Sequence, residues 1–418
     1  MKKILISILM ILANASYAQD TTRITYSEEG DTLVKQHFID RYENVFMTKI
    51  PTRHIFKVDY LSSEGKGTGL NLAYEYKFLR AFSLEAGVFV QTSSDANGLT
   101  VDTFKDRFYL QSLWFNAKAR WYFNMNKRMK TGLSANNFSG SYLALSMEES
   151  IHAHASWIYS YGGLHKLNLQ YGFQSRFLNK GHVDFSVGIS RLTYRRPTML
   201  RGINNFTINT QVMLGLAFGD WKNTSTAPIC DALVCDEQIK DQWKVNFPDI
   251  RIGLKGQSVK AGVAYERKIG KSPFSASLEW SGMLYNSVQT TMSYNSLPTS
   301  SISSDYNITE ISMSTGLQFR YYFLQKRKIL KGKDGANFSG PYVGLRGNYS
   351  FYYDNGGANF NKLSTSKDRW RTGITGGYQQ RILKKFFINA DLTRWEGSID
   401  TGNGSRNWFL TIGLGFTF

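Results

Sequence analysis

His152, His154 and His165 stand close together in this chain, with Glu148, Glu149, Ser150 and Ser156 beside them. An imidazole, a hydroxyl and a carboxylate are the parts of a nucleophilic triad. His152 and His154 could equally share a metal ion. No recognisable nucleophile motif accompanies them, and the C-terminal half of the chain holds no histidine. A polar loop is therefore the expected reading, with no catalytic residue, metal site or cofactor.

Two further groups carry chemistry. Cys230 and Cys235 are the only cysteines, set in Cys230-Asp231-Ala232-Leu233-Val234-Cys235. The spacing is not that of a redox Cys-x-x-Cys pair, and zinc would lack histidine partners. In an oxidising compartment the expectation is a local disulfide. Arg191, Arg195, Arg196 and Arg201 cluster in one segment. Guanidinium forks suit phosphate, so this segment could meet lipid A phosphates or attract anionic solutes; the plainer reading is a solvated loop.

The N-terminus says where such chemistry would operate. Met1-Lys2-Lys3 is basic, residues 4–13 are apolar, and Ser16-Tyr17-Ala18 suits a signal peptidase. Residues 1–18 therefore read as a secretory signal cleaved before Gln19, and the apolar stretch is too short to span a bilayer as a helix. Without Lys2 and Lys3 the formal charge of +18 falls to about +16. Nucleic acid is not an expected partner of a chain exported to the envelope. In residues 19–53, Val34, Phe38, Tyr42 and Val45 recur at helical spacing, predicting a short helix over 31–46. It could lie at a barrel mouth or form a partial plug.

Beyond the signal no run of about eighteen apolar residues occurs, which excludes helical membrane spans. Mean hydropathy is −0.32, yet aromatics make up 15% of the chain. The distribution of these residues is informative. Leu70, Leu72, Tyr74 and Tyr76 alternate with Asn71, Ala73, Glu75 and Lys77. Trp408, Leu410, Ile412, Leu414, Phe416 and Phe418 alternate with Phe409, Thr411, Gly413, Gly415 and Thr417. Period two with one apolar, aromatic-ended face and one polar face is the pattern of a strand between lipid and a wet lumen.

This pattern predicts strands near 54–61, 67–77, 82–92, 107–123, 140–151, 166–176, 182–191 and 205–218. A second series follows near 249–256, 258–267, 274–285, 307–323, 340–353, 369–381, 386–394 and 407–418. The two series, 54–218 and 248–418, flank a linker at 219–247 and repeat each other. Arg120-Trp121-Tyr122-Phe123 recurs as Arg320-Tyr321-Tyr322-Phe323, and Asn137-Phe138-Ser139-Gly140 as Asn337-Phe338-Ser339-Gly340, both 200 positions later. Gly172-Phe173-Gln174-Ser175-Arg176 matches Gly377-Tyr378-Gln379-Gln380-Arg381, and Gly215-Leu216-Ala217-Phe218 matches Gly413-Leu414-Gly415-Phe416. A tandem duplication explains the shared order. Short connections (78–81, 177–181, 268–273, 382–385) alternate with long ones, as periplasmic turns alternate with external loops. The connections 124–139 and 324–339 depart from this: both are long and basic on the periplasmic side.

The Tyr-Glu strand, the Arg-Trp/Tyr-Tyr-Phe strand end, the basic connection and Asn-Phe-Ser-Gly-x-Tyr resemble small outer-membrane barrels of the Bacteroidota type. The last strand, with Leu414, Phe416 and terminal Phe418, resembles the signal read by barrel-assembly machinery. The resemblance implies the outer membrane, with its lipids and lipopolysaccharide as surroundings, and no particular activity.

By strand phase Glu75, Arg120, Arg176, Glu266, Arg320 and Arg381 point into a lumen. If all strands close together, they line one barrel of about sixteen strands. That closure is expected because one C-terminal signal serves one barrel. A passive channel for small, anionic solutes follows from it. If each half closes alone, the same charges fill two eight-stranded barrels, and a non-conducting structural or surface-binding barrel follows. An enzyme acting on lipid at the rim is the third reading.

Overall fold

The computed structural model describes residues 49–418 apart from 94–98, 102–111, 131–137, 154–163, 178–179, 195–205, 224–238, 255, 271, 295–300, 326, 328–337, 356–364, 383–384 and 397–407. The signal peptide, the helix expected over 31–46 and the Cys230–Cys235 pair lie outside the described residues.

The chain forms β1 (Lys49–Pro51), β2 (His54–Ser63), β3 (Gly67–Leu79), β4 (Phe82–Ser93), β5 (Leu99–Val101) and β6 (Ser112–Trp121). A short helix α1 (Met125–Lys130) leads to β7 (Gly140–Ala153), β8 (Leu164–Phe177), β9 (Gly181–Tyr194), β10 (Phe206–Phe218) and β11 (Trp221–Asn223). The second series is β12 (Asp241–Asn246), β13 (Asp249–Gly253), β14 (Gly256–Lys268), β15 (Phe274–Tyr294) and β16 (Ser301–Tyr321). It ends with β17 (Gly340–Asp354), β18 (Thr365–Ile382), β19 (Phe386–Glu396) and β20 (Trp408–Thr417). β12 was not expected. Pro248 has no N–H to give a ladder, so the strand breaks there and reads as starting after it.

Closure is decided by the first and last strands of each series. β10 returns to β2, from Val212 opposite Ser62 to Phe218 opposite Phe56. β20 returns to β12, from Asn246 opposite Gly415 to Lys244 opposite Thr417. Trp243 and Phe418 also exchange both backbone hydrogen bonds at 3.0 Å. Each series is thus an antiparallel barrel of eight strands, counting β12–β13 as one bent strand. The expected all-β barrel architecture stands. A single lumen through sixteen strands does not, because β2 and β12 partition it. Eight strands enclose an interior just wide enough for side chains to fill.

Towards the end with the long connections the partition gives way. β13 leaves β20 and pairs with β10, from Thr207 opposite Gly253 to Asn209 opposite Arg251. The same end of β20 pairs with β5, Leu410 opposite Val101 and Ile412 opposite Leu99. The two walls therefore fuse at this rim. Two connections here, 64–66 and 254–255, are short where the pattern calls for long external loops. The first docks on the second barrel. The Glu64 amide donates to Asp249 Oδ1 at 3.1 Å, and the Lys260 ammonium meets the Glu64 carboxylate at 2.8 Å.

Engineered disulfides test both closures. Cysteines at Leu216 and Val58, which are direct cross-strand partners, are expected to link. Cysteines at Ile208 and Ile252 are expected to link as well. On non-reducing gels the second link joins the fragments left by cleavage within 219–240, and the first those left by cleavage within 124–139; failure of the first pair would restore the single wide barrel.

The surface is inverted relative to a protein in water. Leu72, Tyr74, Leu84, Leu145, Leu169 and Ile189 are exposed on the first barrel, and Leu317, Phe319, Leu345 and Ile374 on the second. Full exposure of such a side chain to water costs about 1.5–3 kcal/mol relative to apolar surroundings, and these bear a third to two-thirds of that exposure. Lipid removes that cost. Closed barrels leave no unpaired edge in hydrocarbon, and this architecture is that of an outer-membrane β-barrel. One strip of outward residues is covered by protein instead. Phe247 stacks on Phe185 at 4.5 Å and meets Phe416 at 5.0 Å, while Phe173 lies 5.3 Å from Phe386. Val183, Val212 and Leu414 are buried with them. Leu414 and Phe416, expected to face lipid, face the other barrel because β20 is a seam strand.

Candidate functional site: the two lumens

Strand alternation turns one polar side chain in two inward, and in the first barrel these meet at one level. Glu75 is fully buried. Its Oε1 accepts hydrogen bonds from Tyr122 at 2.8 Å and Ser83 at 2.5 Å. Its Oε2 accepts from Lys57 at 2.7 Å, Arg120 at 2.9 Å and Gln174 at 3.3 Å. Lys57 and Arg120 both also contact Glu85, and Arg120 reaches Asp184 at 2.8 Å. Tyr142 donates to the same Asp184 at 2.5 Å. Buried charges of this kind persist only when paired and hydrogen-bonded, which these are.

The second barrel repeats the arrangement atom for atom at its centre. Glu266 accepts from Tyr322 at 2.9 Å and Ser275 at 2.6 Å on Oε1. On Oε2 it accepts from Lys244 at 3.0 Å, Arg320 at 3.3 Å and Gln379 at 3.1 Å. Tyr342 donates to Asn389, which takes the place of Asp184. The closing ladders share a register too: Lys57 lies opposite Ala217, and its counterpart Lys244 opposite Thr417. This sets Gly215 against Gly415, opposite Asp59 and Asn246. The sequence match of Gly215 with Gly413 is therefore two residues out. At both glycines a Cβ would stand 2.0 Å from a backbone oxygen, of Val58 or Val245, so only glycine admits so close a closing strand.

The described C-terminal ends of the two long connections have a function in the fold. Phe138 and Phe338 turn up under their barrels and are buried. The carbonyls of Phe138 and Phe338 each accept from a lumen glutamine, Gln174 or Gln379, at 2.9 Å. Lys77 lies 5.2 Å over the Phe138 ring, and Lys268 5.6 Å over that of Phe338. Phe138-Ser139-Gly140 and Phe338-Ser339-Gly340 thus cap the lumens at the end where β3 turns into β4 and β14 into β15. Arg176, beside the first cap, pairs with Asp220 at 3.2 Å, and Arg381 is half-buried at the matching place in the second barrel.

The remaining candidates are spread apart. His165 faces outward, 3.8 Å from Glu149. His154 and Ser156 lie outside the described residues, as do Arg195, Arg196 and Arg201. Arg191 is exposed on the outer wall, 5.9 Å over the Phe206 ring. Among the described residues the nearest thing to a catalytic dyad has no sequence motif: His182 Nδ1 and Asp59 Oδ1 lie 2.7 Å apart. Both are sealed inside the first barrel. Among the described residues no cluster of ligands could hold a metal.

Above the charge layer the barrels differ. The first is filled by Leu61, Phe89, Trp114 and Met213, all buried in one cluster. The second holds a cavity of 460 Å³ bordered by Ser281, Ser314, Gly316, Asn348, Gly413 and others. Nothing in the alternation pattern distinguishes these two interiors. The difference is visible only once the inward positions of each copy are set in register.

No family model matches the chain, and no curated protein matches it. Among solved structures it is similar to OmpTdeltaL8, a loop L8 deletion mutant of OmpT, an outer membrane protein of Vibrio cholerae. The two are 9% identical with a TM-score of 0.24, over 89% of this chain and 100% of that one. The β domain of the Bordetella autotransporter BrkA gives 9% identity and a TM-score of 0.24, over 87% and 97%. At such scores the likeness carries no argument, and the fold rests on this chain's own strand pairings.

Proposed function

We propose that this protein is a non-conducting outer-membrane double barrel, built by tandem duplication of an eight-strand unit and serving a structural or surface-binding role. The observation that carries this reading is the buried Lys57–Glu75–Arg120 cluster with its repeat, Lys244–Glu266–Arg320. Each blocks its lumen and is capped below by a phenylalanine. The wide channel expected from a single barrel would need the partition of β2 and β12 removed. The preference for anions also loses its support. The cations that line the second cavity, Lys244, Lys260, Arg320 and Arg346, all meet carboxylates, of Glu266, Glu64, Glu279 and Asp391, and Asp249 lines the cavity as well. No catalytic activity is part of this proposal, since the dyad that does form is walled off from substrate.

Purified protein in planar bilayers tests it. Current is expected to stay at the baseline of empty membranes; reproducible open steps would overturn the reading. A second reading, passage of small solutes through the second barrel alone, draws on its cavity. It predicts steps that vanish when the cavity is filled by larger side chains.

A further inference from the structure

Matching cross-strand registers allow the two interiors to be compared residue by residue. Phe89 lies opposite Trp114 and Asn71 in the first barrel; Ser281 lies opposite Ser314 and Gly262 in the second. Met213 faces Asp184, while Gly413 faces Asn389. Asn116 lies between Gly87 and Glu148, while Gly316 lies between Glu279 and Asn348. At one level of the lumen phenylalanine, tryptophan and methionine thus become serine, serine and glycine, and two asparagines become glycines. All five reduced positions border the cavity. A random loss of packing would leave scattered gaps, each costly in a close-packed interior. Here the reductions are contiguous and the new surface is polar: Ser281 and Ser314 hydrogen-bond to each other at 2.7 Å.

The same barrel gains charges at the cavity floor. Glu279, Arg346 and Asp391 occupy the places of Gly87, Ser146 and Ser186. Arg346 binds Glu279 at 2.6 Å and Asp391 at 3.5 Å, and Arg320 reaches Glu279 at 3.1 Å. Glu279 and Arg346 remain about one-fifth exposed, towards the cavity. The floor is therefore an array of forked donors and acceptors whose charges already cancel. The walls carry hydroxyls and amides, from Ser281, Ser312, Ser314, Asn348, Asn389 and Thr411, interleaved with apolar Phe247, Met283 and Phe387.

We infer that the second lumen is a binding pocket for a neutral, hydroxyl-rich small molecule, of which a disaccharide is the chemical type. Paired donors and acceptors satisfy hydroxyl groups, which both give and take hydrogen bonds. An anion or cation would have to break the existing pairs. The cavity lies within the roughly 300–1,000 Å³ usual for small-molecule sites. The inference deepens the surface-binding role, in which the first barrel is the solid copy and the second the receptive one.

Calorimetric titration of the detergent-solubilised full chain with maltose, diacetylchitobiose, glucuronate and inorganic phosphate tests it. A neutral disaccharide is expected to bind and the two anions are not. Refilling the pocket as in the first barrel (S281F, S314W, G413M) is expected to weaken that binding about tenfold or more, as is N348L, which keeps the volume and removes the amide. N348L guards against a refilled protein that does not fold. Absence of saccharide binding at millimolar concentration, stronger binding of phosphate, or unchanged affinity in both variants would overturn the inference. Conductance in the bilayer assay would instead strike at the non-conducting reading, leaving the titration independent.

Discussion

Replacing Glu75 with alanine is expected to destabilise the first barrel by about 3–5 kcal/mol, the cost of leaving buried charges without their partner. Lys57 and Arg120 both rest on this carboxylate, and both are almost wholly buried. Tyr122, Ser83 and Gln174 lose an acceptor at the same time. Glu85 also touches Lys57 and Arg120, so some compensation survives. Glutamine at position 75 keeps the shape and an acceptor, and is expected to cost less than alanine. In the second barrel Glu266→Ala removes the only carboxylate that Lys244 meets in an ion pair among the described residues, so its effect is expected to be at least as large. Urea midpoints, together with the heat-dependent gel mobility of folded barrels, measure both. A shift under about 1 kcal/mol would mean that water reaches the cluster and screens it.

A larger change is expected when the seal of the second barrel is removed. The variant K244S/E266S/R320S/F338S takes away the ion cluster and the cap together, with one carboxylate leaving for two cations. Above that level stand the Arg346–Glu279–Asp391 set, which only lines the cavity, and the cavity itself, so this protein is expected to show open steps in planar bilayers where the unaltered chain shows none. Adding S281F, S314W and G413M, the side chains that fill the first barrel, is expected to close it again. The matched variant of the first barrel, K57S/E75S/R120S/F138S, is expected to stay closed, because Phe89, Trp114 and Met213 still fill the lumen above. Conductance by both variants, or by neither, would show that the two lumens are not sealed in the way their packing indicates.

Much of this protein is legible in its sequence. Period-two alternation in segments such as 70–77 and 113–123 located the strands and told lipid face from lumen, because successive side chains of a strand must point to opposite sides. The same alternation turns Glu75, Arg120, Glu266 and Arg320 inward, where all four are buried. The repeated Arg-aromatic and Phe-Ser-Gly segments, 200 positions apart, carry the matching clusters of Arg120 and Arg320 and the caps of Phe138 and Phe338. The expected strand near 249–256 began too late, since Pro248 hides the continuity of β12 with β13. The two long basic connections could be seen but not understood. Their meaning lies in Phe138 and Phe338 folding back beneath a lumen that the sequence does not draw.

What only the tertiary structure decided is which strands close on which. Hydrogen-bond ladders are made by backbone, and every strand edge offers the same donors and acceptors. The alternation that places His54–Ser63 in the wall therefore cannot say whether it meets Phe206–Phe218 or Trp408–Thr417. Register settles it, through glycines that admit a close approach and inward charges that find their partners only across a narrow barrel. From that closure follow the two separate lumens and the seam that buries Leu414. The contrast between a filled interior and a hollow one also follows, because Phe89 and Ser281 become comparable only when they occupy the same rung.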